Sequence, residues 1–183
     1  MKIIVLDRDG VINEDSDEYI KTPEEWLPVP GSMEALATLK ERGIHVAVAT
    51  NQSGLGRHLF DEIALANIHH KMCSMAEDHG GFIDGVFYCP HLPDAGCRCR
   101  KPATGLLAQI ETELGVELAG SFFIGDSLKD LQAALAFDMR PVLVRTGKGR
   151  LTESRLDELN GVSVPVFDSL ADFVEHGMSD DHA

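Results

Sequence analysis

Positive charge is what this sequence is short of. Its 16 Lys and Arg stand against 30 Asp and Glu, for a formal charge of −14. Nowhere do the basic residues form a run. A nucleic-acid partner needs a basic face, so that class is excluded. An anionic ligand must instead depend on a few local cations. Long apolar runs are missing too: no stretch approaches the ~20 residues of a membrane span, which excludes a membrane partner of that kind. No signal-peptide pattern precedes the first apolar run, and the expected location is the cytoplasm. There is no internal repeat and no low-complexity segment. Cysteine is scarce, and three of the four residues crowd between Cys89 and Cys99. In a reducing compartment such crowding favours metal binding over disulfides. What is present, 183 residues of which 44% are hydrophobic, suffices for one domain with a real core.

The apolar residues fall into short β-branched runs separated by helical patterns. Ile3–Leu6, His45–Ala49, Gly85–Tyr88, Ser121–Ile124 and Pro141–Val144 read as strands buried on both faces, with a short further segment at Val164–Phe167. Helices are expected from Ser32 to Gly43, from a cap at Asp61 to about His79, over Ala103–Leu114, over Leu128–Phe137 and from Ser169 to about His176. In the second of these, Ile63, Ala66, Ile68 and Met72 supply apolar positions, while His69 and His70 are expected at the surface. This alternation predicts an α/β, Rossmann-like three-layer sandwich with a central parallel sheet. The expected organisation is a single domain over 1–176 with a flexible tail at 177–183.

Polar residues cluster where each strand ends. Asp7-Arg8-Asp9-Gly10 follows the first, Thr50-Asn51-Gln52-Ser53-Gly54 the second, Cys89 with Arg100 and Lys101 the third, and Gly125-Asp126-Ser127 the fourth. Ligands of parallel α/β sheets bind beyond those ends. Alone, Asp7-x-Asp9-Gly10 reads more readily as a turn. The convergence of four polar strand ends on one crevice favours a site instead. Two carboxylates that close repel unless a cation lies between them, and Asp7, Asp9 and Asp126 are the hard oxygen donors Mg²⁺ prefers. Asp130, one helical turn beyond Asp126, can brace the same region. Thr50, Asn51 and Ser53 offer hydrogen bonds to an oxyanion, and Arg100 and Lys101 offer charge. Such a set suits phosphoryl transfer, with a carboxylate as possible nucleophile.

The second site is local. Cys89-x-His91-x5-Cys97-x-Cys99 supplies three sulfurs and one imidazole, a complete tetrahedral set for Zn²⁺ with no position left for water. It reads as a structural zinc loop over 89–99, held non-helical by Pro90, Pro93 and Gly96. It also fixes Arg100 and Lys101, which follow the last ligand directly.

In order, Asp7-Arg8-Asp9-Gly10, Thr50-Asn51-Gln52-Ser53-Gly54, Arg100-Lys101-Pro102 and Gly125-Asp126-Ser127-Leu128-Lys129-Asp130 resemble the motifs of the haloacid dehalogenase superfamily of phosphatases, over roughly Lys2 to Gly149. With its zinc loop the chain is similar to the branch without a large cap domain. The resemblance implies that Asp7 is the nucleophile. Asp9 would protonate the leaving oxygen and then activate the water that hydrolyses the aspartyl-phosphate. Mg²⁺ would bind Asp7, the Asp9 backbone carbonyl and Asp126, and Thr50 and Lys101 would stabilise the phosphoryl group. Substrate contacts would come from Asp15, Ser16, Asp17, Tyr19, Thr50, Asn51, Gln52, Ser53, Arg100 and Lys101. Some members carry Lys directly after the Gly-Asp of the last motif, where this chain has Ser127. The implied substrate is a small sugar phosphate, a heptose 1,7-bisphosphate losing its 7-phosphate in lipopolysaccharide precursor synthesis, and the implied state a monomer. Histidinol phosphate is the alternative substrate. A non-catalytic zinc-stabilised interaction domain is the alternative of another class.

Overall fold

Alternation along the first strand explains the layering. In β1 (Ile3–Leu6), Ile4 and Leu6 enter one buried cluster while Ile3 and Val5 enter another, so both faces need cover. The structure, a computed structural model, describes residues 2–178. After β1 come α1 (Ser32–Glu41), β2 (His45–Asn51), α2 (Ser53–Gly56), α3 (Glu62–Asp78), β3 (Gly85–Cys89) and α4 (Gly105–Leu114). Then follow β4 (Phe122–Gly125), α5 (Leu128–Ala136), β5 (Arg140–Val144), α6 (Gly149–Glu153), β6 (Val166–Phe167) and α7 (Leu170–Asp172). The strands form one parallel sheet in the order β3-β2-β1-β4-β5-β6. The chain runs outward from β1 to β3, then restarts on the other side of β1 with β4. The opening beside the C-terminal end of β1 is therefore the crevice where such sheets take ligands.

On one face α1 and α3 pack Leu36, Leu39, Ile68 and Met72 against Leu6, Val46 and Val48. On the other, Leu106, Leu107 and Ile110 of α4 and Ala133 and Ala134 of α5 cover Val5, Ala47 and Ala49. This is the expected three-layer α/β sandwich. Among the described residues no cap domain covers the crevice: between β1 and α1 runs a loop whose only helical turn is Pro23–Glu25.

Local signals place the helix starts. Asp61 Oδ1 accepts from the Ala64 N–H at 2.8 Å and caps α3. Ser127 and Asp130 form a reciprocal capping box on α5. The inward face of α3 differs from the expected one. Leu65, Ile68, Met72 and Ala76 are buried, whereas Ile63 and Ala66 face solvent. Leu65, in the same turns, is buried, so Ile63 and Ala66 lie on the outward arc of the helix. The turns after β5, α6 and Leu156–Leu159, had no counterpart in the expected elements. The last helix continues as a wider turn over Phe173–Gly177, and Met178 is buried. The rest of the expected tail, 179–183, lies outside the described residues.

Candidate active site

Three carboxylates meet at the end of β1. Asp7 ends that strand, Asp126 follows β4, and Asp130 sits in the first turn of α5; one oxygen from each lies within 4.8 Å of the others. All three are buried, at 9%, 3% and 1% exposure. One cation answers them. Lys101, itself 2% exposed, places Nζ 2.9 Å from Asp7 Oδ1 and 2.6 Å from Asp130 Oδ1, and donates to the Ala49 carbonyl at 2.7 Å. Nζ thus combines one hydrogen bond with two ion pairs, and its ammonium is held above the usual lysine range by Asp130 and Asp7 despite burial.

Three negative groups and one positive leave the centre short of positive charge. Burial, then the Asp130 charge, pushes the Asp7 carboxyl up to about 7, although Lys101 pulls the other way. Burial and the charges of Asp7 and Asp130 push Asp126 up to about 8. Dry carboxylates this close demand a cation, and an all-oxygen donor set fits a hard divalent ion such as Mg²⁺. Close backbone approach permits the cluster. Gly10 at φ +81 and Gly147 at φ +56 lie against the Asp126 carboxylate, where a Cβ on either would strike Oδ2. Asp126 Oδ2 also accepts from the Lys148 N–H at 2.8 Å.

Asp9 stands apart from this trio. The expectation that its carboxylate would share a cation with Asp7 is corrected: its charge is met by Arg8. Oδ1 accepts from Arg8 Nε at 3.1 Å, Arg8 Nη2 at 2.8 Å and Asn13 Nδ2 at 2.9 Å, while Oδ2 accepts from Gln52 Nε2 at 2.8 Å. Burial opposes ionisation, but the Arg8 charge and these bonds outweigh it and hold Asp9 below the usual carboxylate range. The acid that joins Asp7 and Asp126 is Asp130, which the sequence placed only as a brace.

The crevice occupies about 520 Å³ and brings together Asp15, Ser16, Asp17 and Tyr19 with Thr50, Asn51, Gln52, Ser53, Arg100 and Lys101. Several of these side chains are already engaged. Asn51 clamps the Lys101 backbone, donating to its carbonyl at 3.1 Å and accepting from its N–H at 3.0 Å. Gln52 donates to Thr50 Oγ1 at 2.9 Å as well as to Asp9. Lys148, not anticipated from sequence, reaches Asp15 at 3.4 Å and Asp17 at 3.3 Å across the mouth. Ser127 is turned inward to Asp130 Oδ2 at 2.7 Å. Lys129 does line the crevice, and burial with the charges of Arg100 and Lys148 holds its ammonium below the usual range. Lys148, Lys129 and Arg100 thus bring positive charge to the mouth among the carboxylates that line it. Arg8, Asn13 and Lys148 were assigned no role from sequence, because their roles depend on partners that spacing does not reveal.

The cysteine loop folds as expected from its spacing. Cys89 Sγ lies 3.4 Å from His91 Nδ1, 3.6 Å from Cys97 Sγ and 3.1 Å from Cys99 Sγ, and His91 Nδ1 lies 3.2 Å from Cys99 Sγ. A tetrahedral zinc with bonds of about 2.0–2.3 Å has edges of roughly 3.5–3.8 Å, so donor type and mutual approach both fit. Arg100 Nη1 donates to the His91 carbonyl at 3.3 Å, tying that cation to the loop.

Comparison with known proteins points the same way. Residues 98–173 match a family model described as HAD-hydrolase-like. A D-glycero-beta-D-manno-heptose-1,7-bisphosphate 7-phosphatase of Pseudomonas aeruginosa is 53% identical over 147 residues, covering 80% of this chain and 83% of the relative. The same enzyme of Pseudomonas putida is 48% identical over 171 residues, covering 93% and 96%. The crystal structure of D,D-heptose 1,7-bisphosphate phosphatase from B. bronchiseptica, complexed with magnesium and phosphate, superposes with a TM-score of 0.89 at 47% identity, covering 96% of this chain and 97% of that one.

Proposed function

The chain belongs to the heptose-1,7-bisphosphate 7-phosphatase family of HAD-like hydrolases, and on that premise we propose that it removes the 7-phosphate of D-glycero-D-manno-heptose 1,7-bisphosphate through an aspartyl-phosphate on Asp7. It is a phosphoric monoester hydrolase. The observation that carries the mechanism is the inequality of its two motif carboxylates. Asp7 lies in the cation-seeking trio against Lys101, whereas Asp9 is held outside it with Oδ2 toward the crevice.

Asp7, Asp126 and Asp130 surround the place for Mg²⁺, with Asp7 and Asp126 as side-chain ligands; when bound, the ion neutralises charge on the transferring phosphoryl group. Asp7 attacks phosphorus with a carboxylate oxygen, forming the acyl-phosphate bond as the bond to the sugar oxygen breaks. Lys101 fixes Asp7 through its ion pair and counters charge at close range. Asp9 gives its proton from Oδ2 to the leaving sugar oxygen. Asp9 is ionised in the resting protein and takes that proton from solvent water as the phosphate dianion arrives, whose charge favours the protonated carboxyl. Asp9 then takes a proton from water, whose oxygen attacks the aspartyl-phosphate and releases inorganic phosphate. Thr50 stands beside this exchange through Gln52. Arg100 and the Asp15–Tyr19 loop meet the rest of the sugar.

Zinc in the Cys89/His91/Cys97/Cys99 site is structural, since protein fills all four positions. No helix among the described residues is long and apolar enough to cross a membrane. A place in the cytoplasm is supported by the free thiols of the zinc set, which a reducing compartment preserves, and the substrate implies a role in lipopolysaccharide precursor synthesis. The deciding assay compares kcat/KM for heptose 1,7-bisphosphate and histidinol phosphate with Mg²⁺. Preference for the heptose by at least ~100-fold is expected; equal or reversed preference overturns the substrate assignment.

A further inference from the structure

Arg8 is among the largest side chains with no solvent exposure, and it lies between two acids that the chemistry uses. Burying a guanidinium is costly unless its N–H groups are met, and apolar residues often do as well in a purely structural position. Its contacts have a direction. Nε and Nη2 both donate to Asp9 Oδ1, and Nη1 lies 3.2 Å from His69 Nε2. His69 stands on α3, its ring tilted against Tyr88 of β3 at 5.9 Å. Burial and the Arg8 charge push the imidazole down to about 3. The ring is therefore neutral and offers Nε2 as an acceptor, with its proton on Nδ1. The expectation of a surface histidine is corrected: His69 is half-buried and backs the guanidinium.

We propose that Arg8, held from behind by His69, is a positioning residue that aims the Asp9 carboxylate and presents Oδ2 to the leaving group. The inference rests on the phosphatase mechanism above. Three N–H donors, two from Arg8 and one from Asn13, close Oδ1, whereas Oδ2 has one side-chain donor, from Gln52. Rotating the carboxylate to exchange its oxygens would break these bonds together. A proton on Oδ1 would face three N–H groups, so the transferable proton belongs on Oδ2. Lysine cannot do this work, because its ammonium lacks a planar fork that reaches Asp9 on one side and His69 on the other. The strut ends on the helix that also grips the substrate loop, through Lys71 Nζ on the Pro23 carbonyl at 2.6 Å and the Trp26 carbonyl at 2.8 Å. Asp9 and the loop that meets the sugar thus share one anchor.

Aiming and mere structural support are separable by leaving group. kcat/KM reports the steps through phosphoryl transfer, and expelling nitrophenolate needs no proton, whereas expelling a sugar alkoxide does. Arg8→Met, His69→Leu and His69→Gln are assayed with heptose bisphosphate and with p-nitrophenyl phosphate. Arg8→Met is expected to lose roughly 100-fold in kcat/KM on the heptose and less than about threefold on the aryl ester, the scale of a displaced catalytic group. His69→Leu is expected to lose about tenfold on the heptose alone. His69→Gln, whose carboxamide oxygen can accept from Nη1, should recover to within about threefold of wild type. Should Arg8→Met fail to fold, the two His69 variants carry the test. Equal losses on both substrates, no loss on the heptose, or a His69→Gln as impaired as His69→Leu would overturn the proposal. A wild-type protein inactive on both esters would instead overturn the phosphatase mechanism.

Discussion

If the carboxylate trio awaits a cation, Mg²⁺ must stabilise the protein more at high pH than at low. The sign follows from the two raised groups. Asp7 rises from 3.8 to about 7 and Asp126 to about 8. Between pH ~4 and ~8 the metal-free folded chain therefore holds protons that the unfolded chain has lost. Stability must fall as pH rises through that window. Raising one carboxyl from 3.8 to about 7 corresponds to roughly 4 kcal/mol. The two groups repel each other, so their effects are not summed. About 3 kcal/mol of this is lost between pH 5 and pH 8, so at ~2–4 °C per kcal/mol for a chain of this size the metal-free Tm should drop by roughly 5–10 °C over that range. Mg²⁺ binds only the ionised acids. At pH 5 it competes with protons and adds little; at pH 8 and ~100 Kd it should return about 3 kcal/mol, most of the loss. Thermal unfolding followed by circular dichroism, with and without Mg²⁺ at four pH values, measures this directly. Metal-free samples are prepared by dialysis rather than with a strong chelator, which would strip the zinc loop. Asp126→Asn, which removes one charge without changing shape, should flatten the pH dependence and abolish the Mg²⁺ gain. An equal gain at pH 5 and pH 8, or an Asp126→Asn as responsive as wild type, would refute the cation-seeking trio.

Asp9→Asn should cost ~10²–10⁴-fold in kcat while melting within a few degrees of wild type, checked by steady-state kinetics and calorimetry. Lys101→Met leaves Asp7 and Asp130 facing each other unpaired and should destabilise by about 3–5 kcal/mol in denaturant titration without Mg²⁺, with partial recovery when Mg²⁺ is added. Gly10→Ala, at φ +81 and against the Asp126 carboxylate, should cost about 1–3 kcal/mol and weaken Mg²⁺ binding measured by calorimetry. Cys97→Ser should lose zinc by elemental analysis and raise KM more than it lowers kcat.

The strand ends could be located from sequence because an apolar run buried on both faces stops abruptly where polar residues begin. Ile3–Leu6 before Asp7 and Phe122–Gly125 before Asp126 are instances. The zinc donors were legible because all four lie on one short loop, where spacing alone limits geometry. Pairings across the fold were not. Nothing in the spacing says that Asp130 rather than Asp9 turns toward Asp7, since that choice follows from Lys101 reaching between two strands. Arg8 is a neighbour of Asp9 in sequence, but its function depends on His69, which α3 brings from 61 positions away. Asn51 had the chemistry of a substrate contact, yet its amide is committed at both ends to the backbone of Lys101. Ile63 carries the right residue type at helical spacing but on the outward arc, while Leu65 two positions on faces the core.

The zinc loop precedes two cations that depend on it unequally. Lys101 has holdings of its own: Asn51 grips its backbone, and Ala49, Asp7 and Asp130 take its ammonium. All of these come from β1, β2 and α5 or the residues that end them, so the lysine stays in place without the metal. Arg100 has no comparable set. Arg100 Nη1 donates to the His91 carbonyl, inside the cysteine loop, and the guanidinium lines the crevice mouth. If the loop holds zinc, its loss is expected to free Arg100 at the crevice mouth before it disturbs Lys101 beside Asp7. This tie of Arg100 to the loop is why Cys97→Ser is expected to raise KM more than it lowers kcat. A Cys97→Ser enzyme with kcat reduced as much as KM is raised would mean that Lys101, too, depends on the loop, and that Asn51 and Asp130 do not suffice to hold it.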